Sequence, residues 1–91
     1  MPSLEAPTKP RPLYTIAEEV YTDIRNGSWK SASKSYALPY LRAMRELSSL
    51  SDSYGADSAK SVVLYFLSNA STWRGETARR IKAELRSMVN G

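Results

Sequence analysis

Apolar residues recur along this 91-residue chain at helical rather than alternating spacing, in four segments separated by glycine- and serine-bearing breaks. In the first, Leu13, Ile16, Ala17, Val20, Tyr21 and Ile24 fall on one face, the i, i+3, i+4 signature of an amphipathic helix. Thr15 followed by Glu18 has capping-box spacing, and Gly27 is the stop. The pattern predicts a helix over 15–26. A second follows over 37–50, with Tyr40, Leu41, Met44, Leu47 and Leu50 as its face and Pro39 in the first turn, where a missing N–H costs nothing. Ser51–Asp57 breaks the periodicity, with Gly55 as turn residue and Asp57 as the N-cap of the next helix.

The third segment, 58–70, carries Ala59, Val62, Val63, Phe66 and Ala70 on one face, with Leu64 and Tyr65 on its flanks. Only Ser61 and Ser68 keep it from being apolar all round. Such a helix is either enclosed by the others or forms half of a subunit interface. The fourth, 73–89, has a narrow seam of Ala78, Ile81, Leu85, Met88 and Val89 within a sector of about 100°. Arg79, Lys82 and Arg86 line one edge of that seam, while Glu76, Arg80 and Glu84 form an i, i+4 ladder that can satisfy itself on the other side. Together these elements predict an all-α fold, a compact bundle of four helices over 13–91, preceded by a flexible proline-containing arm over 1–12.

Composition narrows the functional classes. The chain has no cysteine and no histidine, which removes disulfides, thiolate and histidine-dependent catalysis and the commonest zinc ligands. Asp52 and Asp57 invite a calcium-loop reading, but Tyr54 occupies a ligand position and no terminal glutamate follows. No glycine-rich phosphate loop or paired acids suggest an enzyme, so neither cofactor nor metal is expected. No apolar run approaches the ~20 residues of a membrane span, and the first residues lack the apolar region of a signal peptide. The expectation is a cytoplasmic protein without a membrane partner.

The net charge is +4, and its distribution is uneven. Residues 13–27 carry Glu18, Glu19 and Asp23 against Arg25, whereas 73–91 carry five basic residues against Glu76 and Glu84. Glu19 and Asp23, at i, i+4, repel one another unless a basic partner lies opposite. The Arg79/Lys82/Arg86 stripe is expected to meet that edge, within the chain or between copies. Trp29, in a polar loop, and Trp73, at the start of the fourth helix, are expected to close the ends of the core; the alternative is that Trp29, Trp73 and Arg74 are contacts for an anion or partner.

The segment YGADSAKSVVLYFLSNASTWRGETARRIKAEL, with ALPYLRAM before it, resembles small accessory proteins encoded in actinobacteriophage genomes of the mycobacteriophage type. The resemblance covers about 14–88 and transfers no catalytic motif. It implies a phage-encoded protein acting in the bacterial cytoplasm on a host or phage partner. Six tyrosines, two tryptophans and the surplus apolar surface of the third helix favour a self-associating protein-interaction module. The alternative is a nucleic-acid-binding protein that uses its basic C-terminal helix.

Overall fold

The computed structural model describes residues 11–91; the arm expected over 1–12 lies outside these residues except for Arg11 and Pro12. Four α-helices, α1 (Leu13–Arg25), α2 (Leu38–Met44), α3 (Ala59–Ser68) and α4 (Glu76–Asn90), make the all-α fold that the periodicity predicts. A 3-10 helix, Ala32–Tyr36, precedes α2, and a two-stranded hairpin joins α2 to α3. Its strands, β1 (Ser53–Tyr54) and β2 (Asp57–Ser58), pair antiparallel with Tyr54 opposite Asp57. The loop residues are Gly55, at φ +62°, and Ala56, which stays at negative φ, so glycine takes the position that a two-residue hairpin loop most needs it to take.

Helix α1 starts at Leu13, earlier than expected, and Thr15 does not cap it. Pro12 occupies the N-cap without a side-chain bond. The orphan N–H groups of the first turn are satisfied from elsewhere in the chain: Leu13 N donates to Ser48 O and Tyr14 N to Leu47 O, both at 3.0 Å. Those carbonyls are free because α2 ends at Met44 rather than 50. After Met44 the chain tightens into i→i−3 turns (Glu46 N to Ala43 O, Leu47 N to Met44 O), and Asp52 Oδ2 then accepts from Ser48 N at 2.8 Å and Ser49 N at 3.2 Å. A short acidic side chain competing for backbone donors is an effective helix terminator. The N-cap of α3 is Ser58, whose Oγ accepts from Ser61 N at 3.1 Å, because Asp57 is engaged in the hairpin. Helix α4 starts at Glu76 rather than 73, since Gly75 adopts φ 109°, ψ −179°, a region open essentially to glycine alone.

The core joins Leu13, Ile16, Ala17 and Val20 of α1, Leu41 and Met44 of α2, Val63 and Phe66 of α3, and Ile81 and Leu85 of α4, all fully buried. At one end it is closed by the two tryptophans. Trp29 and Trp73 stack with ring centroids 5.4 Å apart and planes 17° from parallel, and Phe66 presents an edge to each at 6.3 and 6.2 Å. Their indole N–H groups find buried or half-buried acceptors, as large amphipathic rings require. Trp29 Nε1 donates to Thr72 Oγ1 at 3.1 Å and Trp73 Nε1 to Asp23 Oδ2 at 2.9 Å. Asp23 is the sole buried charged residue among those described, and this bond accounts for its place in the interior.

Removing that acceptor strands a buried donor, a cost of about 1–3 kcal/mol. Asp23→Ala should therefore lower the thermal midpoint by on the order of 10 °C. Asp23→Asn, which keeps an oxygen acceptor, should retain most of the stability. Differential scanning fluorimetry of the two variants beside the wild type checks both.

Candidate interaction surfaces

Leu64 and Tyr65 stand where the periodicity places them, on the outward flank of α3. They are 43% and 52% exposed, although α3 buries Ala59, Val62, Val63 and Phe66. Helix α3 is thus not enclosed by the other three. The Tyr65 ring lies 5.4 Å from that of Tyr40 on α2, tilted by 32°, so an aromatic pair bridges the two helices beside Leu64. From Ser61 to Trp73 the chain carries no charged residue. The one charge on α3 is Lys60, one turn before Leu64.

The expected pairing of Arg79, Lys82 and Arg86 with Glu19 and Asp23 is not what the fold makes. Glu19 is bound by Arg80 and lies 3.0 Å from Arg11. Arg11 in turn clamps Glu84 bidentately, Nε to Oε2 at 2.9 Å and Nη2 to Oε1 at 2.7 Å. The ladder expected within α4 is therefore replaced by bonds to other elements, and Arg11 belongs to the fold rather than to a free arm. The physical reason is rotational. Arg80 and Glu84 lie on the edge of the α4 seam that faces α1, whereas Arg79, Lys82 and Arg86 lie on the opposite edge and cannot reach it. Asp23, for its part, faces inward to Trp73.

The basic edge is left with no carboxylate within 4.0 Å among the described residues. Lys82 is half-buried against Trp73, with its ammonium 5.9 Å from the ring centroid and donating to the Trp73 carbonyl at 2.6 Å. Burial, and then the positive charges of Arg86 and Arg74, hold its pKa below the ordinary lysine value. Arg74, from the α3–α4 turn, thus shares one electrostatic field with the α4 stripe. Trp29 and Trp73, by contrast, are removed as surface contacts. Both are buried and both N–H groups are used internally, because a small core needs the area of both rings.

Two features were not foreseen in the sequence. One is the Arg11–Glu19–Arg80–Glu84 network. The other is an open concavity of about 400 Å³ lined by Arg42, Arg45, Glu46 and Tyr54. Arg45 there pairs with Glu18 at 3.1 Å and its guanidinium sits 5.1 Å from the Tyr21 ring centroid, so this mixed-charge hollow is partly spent on packing. Among the described residues no cluster of acidic, cysteine or histidine side chains could hold a metal ion, and no helix is long and apolar enough to cross a membrane. Comparison with protein-family models, curated proteins and solved structures finds no match.

The network makes stability depend on acidity. Arg80 first, with Arg11 adding and partial burial opposing, holds the Glu19 pKa below its ordinary value. A depressed carboxylate contributes stability that is complete above the unfolded pKa of ~4.3 and is lost as pH falls through the folded value. About a third of the side chain is exposed, so the contribution is ~1 kcal/mol at most. Glu19→Gln should lower the thermal midpoint slightly at neutral pH, and the difference between the two proteins should shrink as pH falls below the unfolded glutamate pKa of ~4.3. Melting curves of both between pH 3 and 7 test this.

Proposed function

We propose that this chain is a small non-enzymatic protein-interaction module that self-associates through the outward flank of α3. The exposed pair Leu64 and Tyr65 carries the reading, because two large apolar side chains left in solvent on an otherwise well-buried helix are the kind of surface a partner covers. A second copy is the occupant favoured by charge. A protein of net charge +4 repels itself across any basic face, and the α3 flank, whose one charge is Lys60, opposes a second copy less than the α4 edge does. A two-fold contact would set each Leu64 against the α3 flank of the other copy. The compatible context is that of the phage accessory proteins the sequence resembles: a bacterial cytoplasm, with a host or phage protein as a further partner.

A second reading, nucleic-acid binding through α4, is favoured by one observation, that among the described residues no carboxylate pairs with the basic edge. The two readings use different faces and do not compete. Self-association is tested by size-exclusion chromatography with light scattering at micromolar concentration. The wild type should run larger than one chain, and Leu64→Asp should return it to a monomer with an unchanged helical circular dichroism spectrum. Tyr65→Asp should do the same with a modest loss of stability, since it also removes the contact with Tyr40. A monomeric wild type at these concentrations would exclude the proposal.

A further inference from the structure

The basic edge of α4 is a concentration of charge that nothing within the described fold explains. Elsewhere Arg11, Arg45 and Arg80 each have a carboxylate partner, and the two arginines without one among the described residues, Arg25 and Arg42, stand singly on α1 and α2. Arg74, Arg79 and Arg86 are exposed and have none among the described residues, and Lys82 between them is tied there to a backbone carbonyl. Grouping like charges without a counter-charge opposes folding, so the cluster is better explained by something outside the chain.

The spacing fits a phosphate backbone. Arg79, Lys82 and Arg86 follow one another along about 10 Å of helix axis at 1.5 Å per residue, a length over which one strand of a duplex presents about three phosphates. Arginine forks bind phosphate oxygens in pairs. Lys82 is held in place by its bond to the Trp73 carbonyl, so less side-chain freedom is lost when an anion is bound. Of the two carboxylates of α4, Glu84 is on the far edge and clamped by Arg11, and Glu76 lies one turn before Arg79, at the other end of the stripe from Arg86. Ala83 and Asn90, which border the stripe, are uncharged. Asn90 belongs to α4 and adds one amide at the end of the row. A regular file of phosphates is a general property of nucleic acids, whereas an acidic protein surface would need carboxylates set at the same spacing.

We propose that Arg74, Arg79, Lys82 and Arg86 form a binding face for the sugar–phosphate backbone of a nucleic acid, recognised through its charge and without reading base sequence. Sequence independence is assigned because the cations form one file along a helix edge at a spacing that matches successive phosphates, the contacts that position a protein without reading bases. This inference does not depend on self-association.

The test is fluorescence anisotropy of the full chain with a labelled random-sequence duplex of about 20 base pairs, at salt concentrations between about 50 and 200 mM. Four neutralised phosphates give a log–log salt slope of about −3.6, so affinity should fall about 150-fold across that range. Arg79→Gln with Arg86→Gln should weaken binding more than tenfold at low salt and bring the slope to about −2. The thermal midpoint of that variant should be unchanged or higher, because no partner within the fold is lost. Arg80→Gln removes the same charge from the opposite edge and should leave DNA affinity within about twofold of wild type. The proposal is overturned by absence of binding at low salt, or by equal losses for the two edges, which would indicate net charge alone. It is also overturned if poly-glutamate displaces the DNA at equal charge concentration, which would make an acidic protein surface the partner.

Discussion

The fold depends on the junction around Trp73. Its ring stacks on Trp29 from the loop after α1 and meets the edge of Phe66 from α3. Its N–H is bound by Asp23 near the end of α1, and its carbonyl holds Lys82 of α4. One residue in a turn therefore fixes three helices and a loop relative to one another. A domain of this size has little apolar area to spare, so two stacked indoles closing one end of the core contribute a large share of what can be buried. The bond to Asp23 also gives specificity, because an unpaired indole N–H in that position would be costly and only one docking of α1 supplies the acceptor.

At the opposite side of the α1–α4 contact, charge rather than apolar area orients the helices. Arg11, Glu19, Arg80 and Glu84 alternate in sign across three elements. Exposed pairs of this kind add little stability, yet they disfavour any rotation of α4 that would bring Arg79 or Arg86 to the seam. The consequence is a division of the surface. Glu19 and Glu84 are drawn into the contact between α1 and α4, α3 carries one charge, Lys60, and Arg79, Lys82 and Arg86 are left together on the outer edge of α4. The asymmetry of charge along the sequence thus becomes an asymmetry between faces of the molecule, and the two proposed binding surfaces follow from it.

The number of helices, their order and most of the core were legible from spacing. Leu13, Ile16, Val20, Leu41, Met44, Val63, Phe66, Ile81 and Leu85 are all buried as the periodicity requires, since a helix with one apolar stripe can bury it in only one way. The outward position of Leu64 and Tyr65 follows from the same angular rule. Local signals were less dependable at the helix ends. The Thr15–Glu18 pair has the spacing of a cap and does not act as one, because α1 already begins at Leu13, where Ser48 and Leu47 carbonyls meet the N–H groups of Leu13 and Tyr14 and Thr15 N donates to Pro12 O. Asp52 shortens α2 by taking the donors of Ser48 and Ser49, a competition that apolar periodicity does not register.

Which charge meets which was decided by the tertiary structure alone. The sequence places an acidic edge on α1 and basic residues on α4, and so specifies that they attract. It does not specify the rotation of α4 about its own axis relative to α1, and that rotation determines that Arg80, not Arg79 or Arg86, reaches Glu19. Nor does spacing reveal that Asp23 turns inward, since its acceptor role depends on an indole fifty residues away. Helical periodicity is a local property and can be read along the chain. Partner choice among side chains is set by packing between distant segments, and only the assembled core fixes it.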